Sequence, residues 1–583
     1  MSVRNEVKKS LQNIEQRVWS AWGIWWNVSL ERKNQKMTEK ILIVGGVAGG
    51  MSAATRLRRL QEKAEIIVFE KGPYVLFANC GLPYYVGGEI EERENLIVQS
   101  SKALQKRFNL DVRENSEVTA IDSKEKKITV LSNGKSYFES YDKLILSPGA
   151  KPFVPQIKGL DLANNVFTLR NIPDVDKIMA QLKEKAPKKA TIIGAGFIGI
   201  EMAENLAKRG IAVTIVEKAP HVLPTLDREM AAYVNEELIK NNVSVMTNTG
   251  AVEFKDKQIL LDNGESLLSD LTILSVGIQP ETSLAKMADI KLGLRNAILV
   301  DEHYETSVKD IYAVGDAIVV KNQLGHDALI SLASPANRQG RQVADIISGL
   351  PVENRGSLGT AIVRVFDLQV ASTGLSESQL QSLNLKHKIV HVTANNHAGY
   401  YPGATSIVLK LIFEPESGEI FGAQALGKEG VDKRIDILST AIKAKLTVFD
   451  LPELEFTYAP PFGSAKDPVN MAGYAAMNII LGQSENIQWH ELADELAKGK
   501  VLLDVRNPAE LIKGKFKNSQ NIPLDELRER LNELDKKIQY IVSCQSGLRS
   551  YNAERILKQE GYQVKNLDGA FGLYSKVTND LIE

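Results

Sequence analysis

The chain has 583 residues, more than one hydrophobic core sustains, so about two to four domains are expected. Its 44% hydrophobic and 25% charged residues are those of an ordinary globular protein, and a net charge of −1 favours neither nucleic acid nor a charged membrane surface as a bulk partner, leaving only local basic clusters. No run of roughly 18 apolar residues occurs, which excludes a spanning helix. There are two cysteines, Cys80 and Cys544. They form no disulfide framework, and a reducing cytoplasm is the simpler expectation.

Residues 1–36 differ from the rest, with four of the five tryptophans at 19, 22, 25 and 26. Acidic residues and the lack of a small-residue cleavage site fit a signal peptide poorly. An interfacial amphipathic helix is one reading. The preferred one is an extension outside the folded domains, with Met37 as a natural beginning.

From Ile41 the pattern becomes strand (41–46), glycine turn, helix (52–61) and strand (66–70), a βαβ unit. The turn is Gly45-Gly46-Val47-Ala48-Gly49-Gly50. Glycine lets the backbone turn tightly and approach a pyrophosphate that rests on the helix N-terminus. Val47 stands where a second glycine is usual, so the fingerprint is imperfect. Glu70, followed by Lys71, ends the second strand and is placed to accept from ribose hydroxyls. Cys80 follows in LFANCGLPYY (76–85).

The pattern recurs at 190–217, where Gly194-Ala195-Gly196-Phe197-Ile198-Gly199 matches GxGxxG fully and Glu217 ends the next strand. A carboxylate there repels a 2′-phosphate, which favours NADH over NADPH, although Lys218 partly neutralises it. A third strand, in DIYAVGDA (310–317), closes on an acid. The texture changes over about 357–478, with strands such as SIVLKLIF (406–413). LGQSEN (481–486) is a polar linker, and a compact αβ segment, 487–583, follows with strands VLLDVR (501–506) and YIVSC (540–544).

Two dinucleotide turns with a cysteine between them resemble the flavin disulfide reductases over about residues 40–478, and YDKLILSPGA (141–150) is similar to an interior flavin-domain signature. The resemblance implies two nested Rossmann-like domains. The FAD domain is split into 37–150 and 281–356, around an NAD domain at 151–280. An α+β dimerisation domain at 357–480 follows. FAD would be held by Gly45, Val47, Ala48, Gly50, Glu70, Lys71 and Gly149, with Asp316 at its ribityl chain. NADH would be held by Gly194, Gly196, Phe197, Gly199 and Glu217.

Enzymes of the glutathione-reductase type carry CxxxxC, but Tyr85 stands at the partner position, so Cys80 cannot form that internal disulfide. A single redox cysteine instead forms a mixed disulfide with a substrate thiol, a persulfide or a sulfenic acid. Phe77-Ala78-Asn79-Cys80-Gly81-Leu82-Pro83-Tyr84 resembles coenzyme A-disulfide reductases, with Leu76 departing from their usual serine. Related NADH oxidases and peroxidases carry a histidine where this chain has Ala48. The resemblance implies coenzyme A contacts at Ser52, Arg56, Arg59, Asn79, Lys466 and Arg107. Coenzyme A is a polyanion that needs cations at a cleft mouth. No histidine acid occurs in FTYAPPFGSAKDPVN (456–470), so Tyr458 is the expected proton donor, assisted by Tyr400 or Tyr401. In the family these groups come from the partner subunit, which implies a homodimer.

Cys544 opens Cys544-Gln545-Ser546-Gly547-Leu548-Arg549-Ser550 before a helix (551–559). Backbone N–H groups of such a loop form an anion nest that stabilises a thiolate or persulfide. Residues 487–583 resemble rhodanese domains. A phosphatase loop needs Cys-x5-Arg, whereas Arg549 falls one residue early, so sulfur transfer is expected over phosphate transfer. Asp504 and Arg506 are expected to be structural. No residue set points to a metal. The expected enzyme reduces coenzyme A persulfide, polysulfide or coenzyme A disulfide with NADH, through Cys80, with sulfane sulfur carried by Cys544. The alternatives are an NADH oxidase or peroxidase, or a low-turnover redox sensor or sulfur carrier.

Overall fold

The computed structural model describes residues 39–583, and the expectation for residues 1–36 lies outside them. Lys40–Val44 is almost wholly buried and forms the centre of a five-stranded parallel sheet. Its order is Ile311–Ala313, Lys143–Leu146, Lys40–Val44, Glu65–Phe69, Asp111–Arg113. Parallel strands with both faces covered require continuous apolar runs, and these segments supply them. Helix Ala48–Leu60 crosses between the two central strands and packs on helix Ala333–Ile347. That contact is close: a Cβ on Gly340 would lie 2.1 Å from the carbonyl oxygen of Gly49.

A second parallel sheet has the order Ser244–Met246, Ala212–Val216, Lys189–Ile193, Leu271–Leu274, Val166–Phe167. An antiparallel sheet, Ala361–Val365, Leu368–Gly374, Ile420–Gly427, Ser406–Phe413, Lys388–Asn395, packs on helices Val431–Lys443 and Pro468–Ile480. The C-terminal unit is again parallel, in the order Asn486–Ile487, Gln563–Leu567, Gln539–Ser543, Val501–Asp504, Gln520–Asn521. The fold is α/β with an additional α+β layer, and the C-terminal unit packs both on that layer and on helix Arg228–Lys240 of the second parallel sheet.

The stretch 481–486 is not a free linker. Ser484 is buried and donates to the fully buried carboxylate of Glu554, as does the Glu485 N–H at 2.6 Å. Asn486 already pairs in register with Asn566. The Ser484 hydroxyl and the Glu485 N–H supply donors that a buried carboxylate must have.

The layers meet at a row of polar side chains on a buried sheet face. His391, Lys410 and Gln424 are direct register partners on three adjacent strands. The Lys410 ammonium pairs with Glu229, with Asp227 at 2.8 Å and with Glu377 at 3.0 Å. Three converging carboxylates resemble a cation site, and Lys410 is the cation that occupies it. Gln424 donates to Asp227 at 2.7 Å. His391 Nδ1 lies 2.7 Å from Asp568 of the C-terminal unit, and Nε2 lies 3.4 Å from Glu229.

Burial alone would depress the His391 imidazolium, but Asp568 and Glu229 outweigh it and hold the pKa up at about 9. Stabilisation from this proton is therefore complete below the unfolded value near 6.5 and is lost as pH rises through 9. Thermal unfolding should show a loss of about 2 kcal/mol between pH 7 and 9 that His391→Gln removes. Parallel pH profiles for the two proteins would count against the ion pair.

Candidate functional site: two dinucleotide turns, a cleft cysteine and a loop cysteine

In the first glycine turn Gly45 has φ +102°, and a Cβ there would lie 2.1 Å from Ser147 O. A Cβ on Gly50 would lie 1.9 Å from Gly45 O. The second turn repeats this: Gly194 has φ +101° and abuts Ser275 O at 2.5 Å, and Gly199 abuts Gly194 O at 2.0 Å. The outer glycines of each turn are thus required by the protein's own packing. Gly196 is different, because a Cβ there would meet nothing within 4 Å and the residue lines an open cleft. That space suits the approach of a pyrophosphate to the backbone.

Each terminal acid is tied to its turn. Glu70 accepts from Gly46 N–H at 2.9 Å and Gly72 N–H at 2.8 Å. Glu217 accepts from Ala195 N–H at 2.6 Å and Ala219 N–H at 2.7 Å. A carboxylate has about four acceptor positions, so each can still receive ribose hydroxyls. These features fit two dinucleotides.

One cleft of about 1880 Å³ connects both turns. Val47, Ala48, Lys71, Gly149, Phe197 and Asp316 line it, as do Asn79 and Cys80. Cys80 sits in the 3-10 turn Asn79–Gly81, which helix Leu82–Gly87 continues with Pro83 in its first turn. Its residue surface is open to the cleft. Partial desolvation of the sulfur, then the negative charges of Glu201 and Asp316, push its thiol above the ordinary pKa.

Glu201 also lines the cleft and was not foreseen from the sequence. It accepts from the Tyr84 hydroxyl at 3.2 Å. Burial, with help from Glu204, raises its carboxyl to about 7. The available signal was two acids, Glu201 and Glu204, inside an otherwise apolar helix. Arg170 is a second unforeseen lining residue; it donates to Pro148 O at 3.2 Å and its charge opposes the burial that raises Asp316.

Tyr400, Tyr458, Lys466 and Arg107 do not line this cleft in the same chain. The Tyr400 and Tyr458 hydroxyls are 3.1 Å apart, on residues 76% and 50% exposed. Arg56 is paired with Asp345 at 2.6 Å, while Arg59 and Arg107 are exposed and make no ion pair among the described residues. Ser52 donates to Asn337 at 2.6 Å.

Cys544 is buried at the end of strand Gln539–Ser543, and its Sγ accepts from Gly547 N–H at 3.1 Å. Gly547 has φ +108°, a left-handed turn that aims this N–H back at the sulfur before helix Leu548–Gln559 begins. Phe571 N–H donates to Cys544 O at 3.0 Å, and Gly572 N–H to Gln545 O at 2.9 Å. The loop is clamped from outside as well as within. Arg506 is buried against Asp504 at 2.7 Å, and Arg549 forms a two-pronged pair with Glu510 at 2.7 Å on each arm.

Residues 39–340 match the pyridine nucleotide-disulphide oxidoreductase family, 360–468 the dimerisation domain of that family, and 488–576 a rhodanese-like domain. The chain belongs to the pyridine nucleotide-disulphide oxidoreductases. It is an oxidoreductase acting on sulfur, and membership implies FAD and NAD(H) as cofactors.

The chain is 36% identical over 444 residues to a coenzyme A disulfide reductase of Staphylococcus haemolyticus, covering 76% of this chain and 100% of the relative. It is similar to the crystal structure of reduced Bacillus anthracis CoADR-RHD, with 52% identity, TM-score 0.93, and coverage of 94% of this chain and 100% of that one. It is also similar to a NAD-dependent persulfide reductase from A. fulgidus, with 38% identity, TM-score 0.87, and coverage of 92% and 100%.

In this oxidoreductase Glu201→Gln removes a negative charge that faces Cys80. Iodoacetamide labelling of Cys80 between pH 7 and 9, followed by peptide mass spectrometry, should then run about threefold faster or more. An unchanged pH–rate curve would show that the thiol does not feel Glu201.

Proposed function

We propose that the protein is an NADH-dependent reductase of coenzyme A persulfide and polysulfide, also acting on coenzyme A disulfide, with Cys544 as a carrier of sulfane sulfur. The observation that carries this reading is the pair of solitary cysteines: Cys80 beside two dinucleotide turns, and Cys544 in a loop whose N–H faces its sulfur. The similarity to a coenzyme A disulfide reductase and to a persulfide reductase supports it.

Cys80 thiolate attacks the inner sulfur of coenzyme A persulfide, forming a Cys80–S–S–CoA mixed disulfide and releasing hydrosulfide. Held at the Gly45–Gly50 turn, with Asp316 lining the same cleft, FAD would supply the electron pair of NADH for reducing that disulfide. Two electrons and one proton return Cys80 to thiolate and release coenzyme A. With coenzyme A disulfide the first leaving group is coenzyme A thiolate, and the second half is the same.

Exposed Arg59, Arg107 and Lys466 serve as phosphate contacts, together with Ser52 and Arg56, and Asn79 lines the cleft beside the cysteine. Arg56 is partly committed to Asp345, so Arg59 carries more of that load. Tyr458 and Tyr400 protonate the leaving sulfur in the cleft of a partner subunit; their exposure and mutual contact on the dimerisation domain support this.

Cys80→Ser should lower NADH-coupled sulfide release and disulfide reduction by at least about a hundredfold. Cys544→Ser should slow sulfide release mainly from bulky or protein-borne donors. Equal rates with every donor would end the carrier reading, and oxygen uptake matching NADH oxidation without thiol substrate would favour an oxidase. Glu217→Ala should shift the NADH-to-NADPH ratio of kcat/KM toward NADPH by about tenfold. An unshifted ratio would leave the cofactor preference to other residues.

A further inference from the structure

The Cys544 loop has two cations beside it, and neither is free. Arg506 lies beneath, paired with Asp504 and stacked over the Phe571 ring at 3.8 Å from its centroid. Arg549 lies at the surface, its guanidinium fork filled by both oxygens of Glu510. The two partners are about equally exposed, with 33% and 32% of their side-chain surface open. Arg549 holds the Glu510 carboxyl at about 2, so it is ionised at any working pH. Their neighbours in the chain, Leu548 and Ile512, are apolar and exposed at 60% and 86%. The mouth of the loop is therefore charge-neutral and partly apolar.

Sulfane donors differ in where they keep their charge. In thiosulfate the anionic oxygens sit on the atom bonded to the transferred sulfur, so an unpaired guanidinium at the mouth would assist its approach. In an alkyl persulfide such as coenzyme A persulfide, the phosphates lie at the far end of a long neutral arm, and the transferred sulfur arrives without a neighbouring anion. We propose that Glu510 is a specificity-determining residue that fills the fork of Arg549 and so selects alkyl persulfides over small inorganic anions as sulfur donors to Cys544.

This rests on the reading of Cys544 as a sulfur carrier. With an alkyl persulfide, Cys544 thiolate attacks the outer sulfur, the S–S bond breaks, and the alkyl thiolate leaves while Cys544 becomes a persulfide. With thiosulfate the same attack releases sulfite. No external oxidant or reductant enters either step.

The pair could instead only brace the loop, and the two roles separate by their effect on discrimination. The full-length flavoprotein is mixed with thiosulfate or coenzyme A persulfide, quenched, and the Cys544 peptide is followed by mass for the gain of one sulfur. Glu510→Gln should raise the ratio of thiosulfate to persulfide loading rate constants at least tenfold, on the order of 1.4 kcal/mol. Glu510→Asp, which keeps the charge, should hold the ratio near the native value even if both rates fall. Adding Arg549→Gln to Glu510→Gln should return the ratio toward native. An unchanged ratio in Glu510→Gln, or equal falls with both donors, would overturn the proposal and leave Glu510 as a brace. If Glu510→Gln does not fold, Glu510→Ala, which also empties the fork, carries the same expectation, and an unchanged ratio there overturns the proposal. Native protein that takes no sulfur onto Cys544 from either donor would instead defeat the carrier reading itself.

Discussion

The arrangement of this molecule depends on a buried cation. Lys410 has no exposed surface and sits among Asp227, Glu229 and Glu377. Burial works against its charge, yet the three carboxylates outweigh that and hold the ammonium above its ordinary pKa. Removing one partner from such a cluster leaves uncompensated buried charge, which typically costs about 3–5 kcal/mol. Asp227 and Glu229 open helix Arg228–Lys240 of the second parallel sheet's layer, whereas Lys410 and His391 belong to the antiparallel sheet. The ion cluster thus ties the layer of the second parallel sheet to the antiparallel sheet.

The chemistry of the cleft rests on the same balance of desolvation and charge. Glycine turns and their bonded acids make two similar cradles, and the cysteine between them has no second thiol. Negative charge on Glu201 and Asp316 disfavours a free thiolate at Cys80. Burial acts in the same direction, so both effects hold the Cys80 thiol above its ordinary pKa. Cys544 follows another strategy: it is buried, and a single backbone donor faces it.

Local pattern exposed much of this in the sequence. Apolar runs ending in glycine turns mark both Rossmann sheets, and SIVLKLIF coincides with strand Ser406–Phe413. Both cysteines announced themselves by their neighbours. What stayed hidden depends on partners far apart in the chain. The lysine inside SIVLKLIF is an evident anomaly, but its alignment with His391 and Gln424 exists only once strand register is known. Glu201 reads as one more helical acid until its burial against Tyr84 is seen. Residues 481–486 are polar like a linker, yet Ser484 and the Glu485 N–H are bound to the buried Glu554.

His391 grips Asp568, and Asp568 directly precedes the Gly569–Gly572 segment whose N–H groups clamp the Cys544 loop. The fused domain is consequently not a bead on a string. A graft that swapped in a foreign rhodanese, or a cut that freed this one, would strand a histidine cation on one piece and an aspartate on the other, each in a surface shaped to be covered. A designer recombining such modules would place the junction by matching residues at 391 and 568 rather than by the apparent spacer between them.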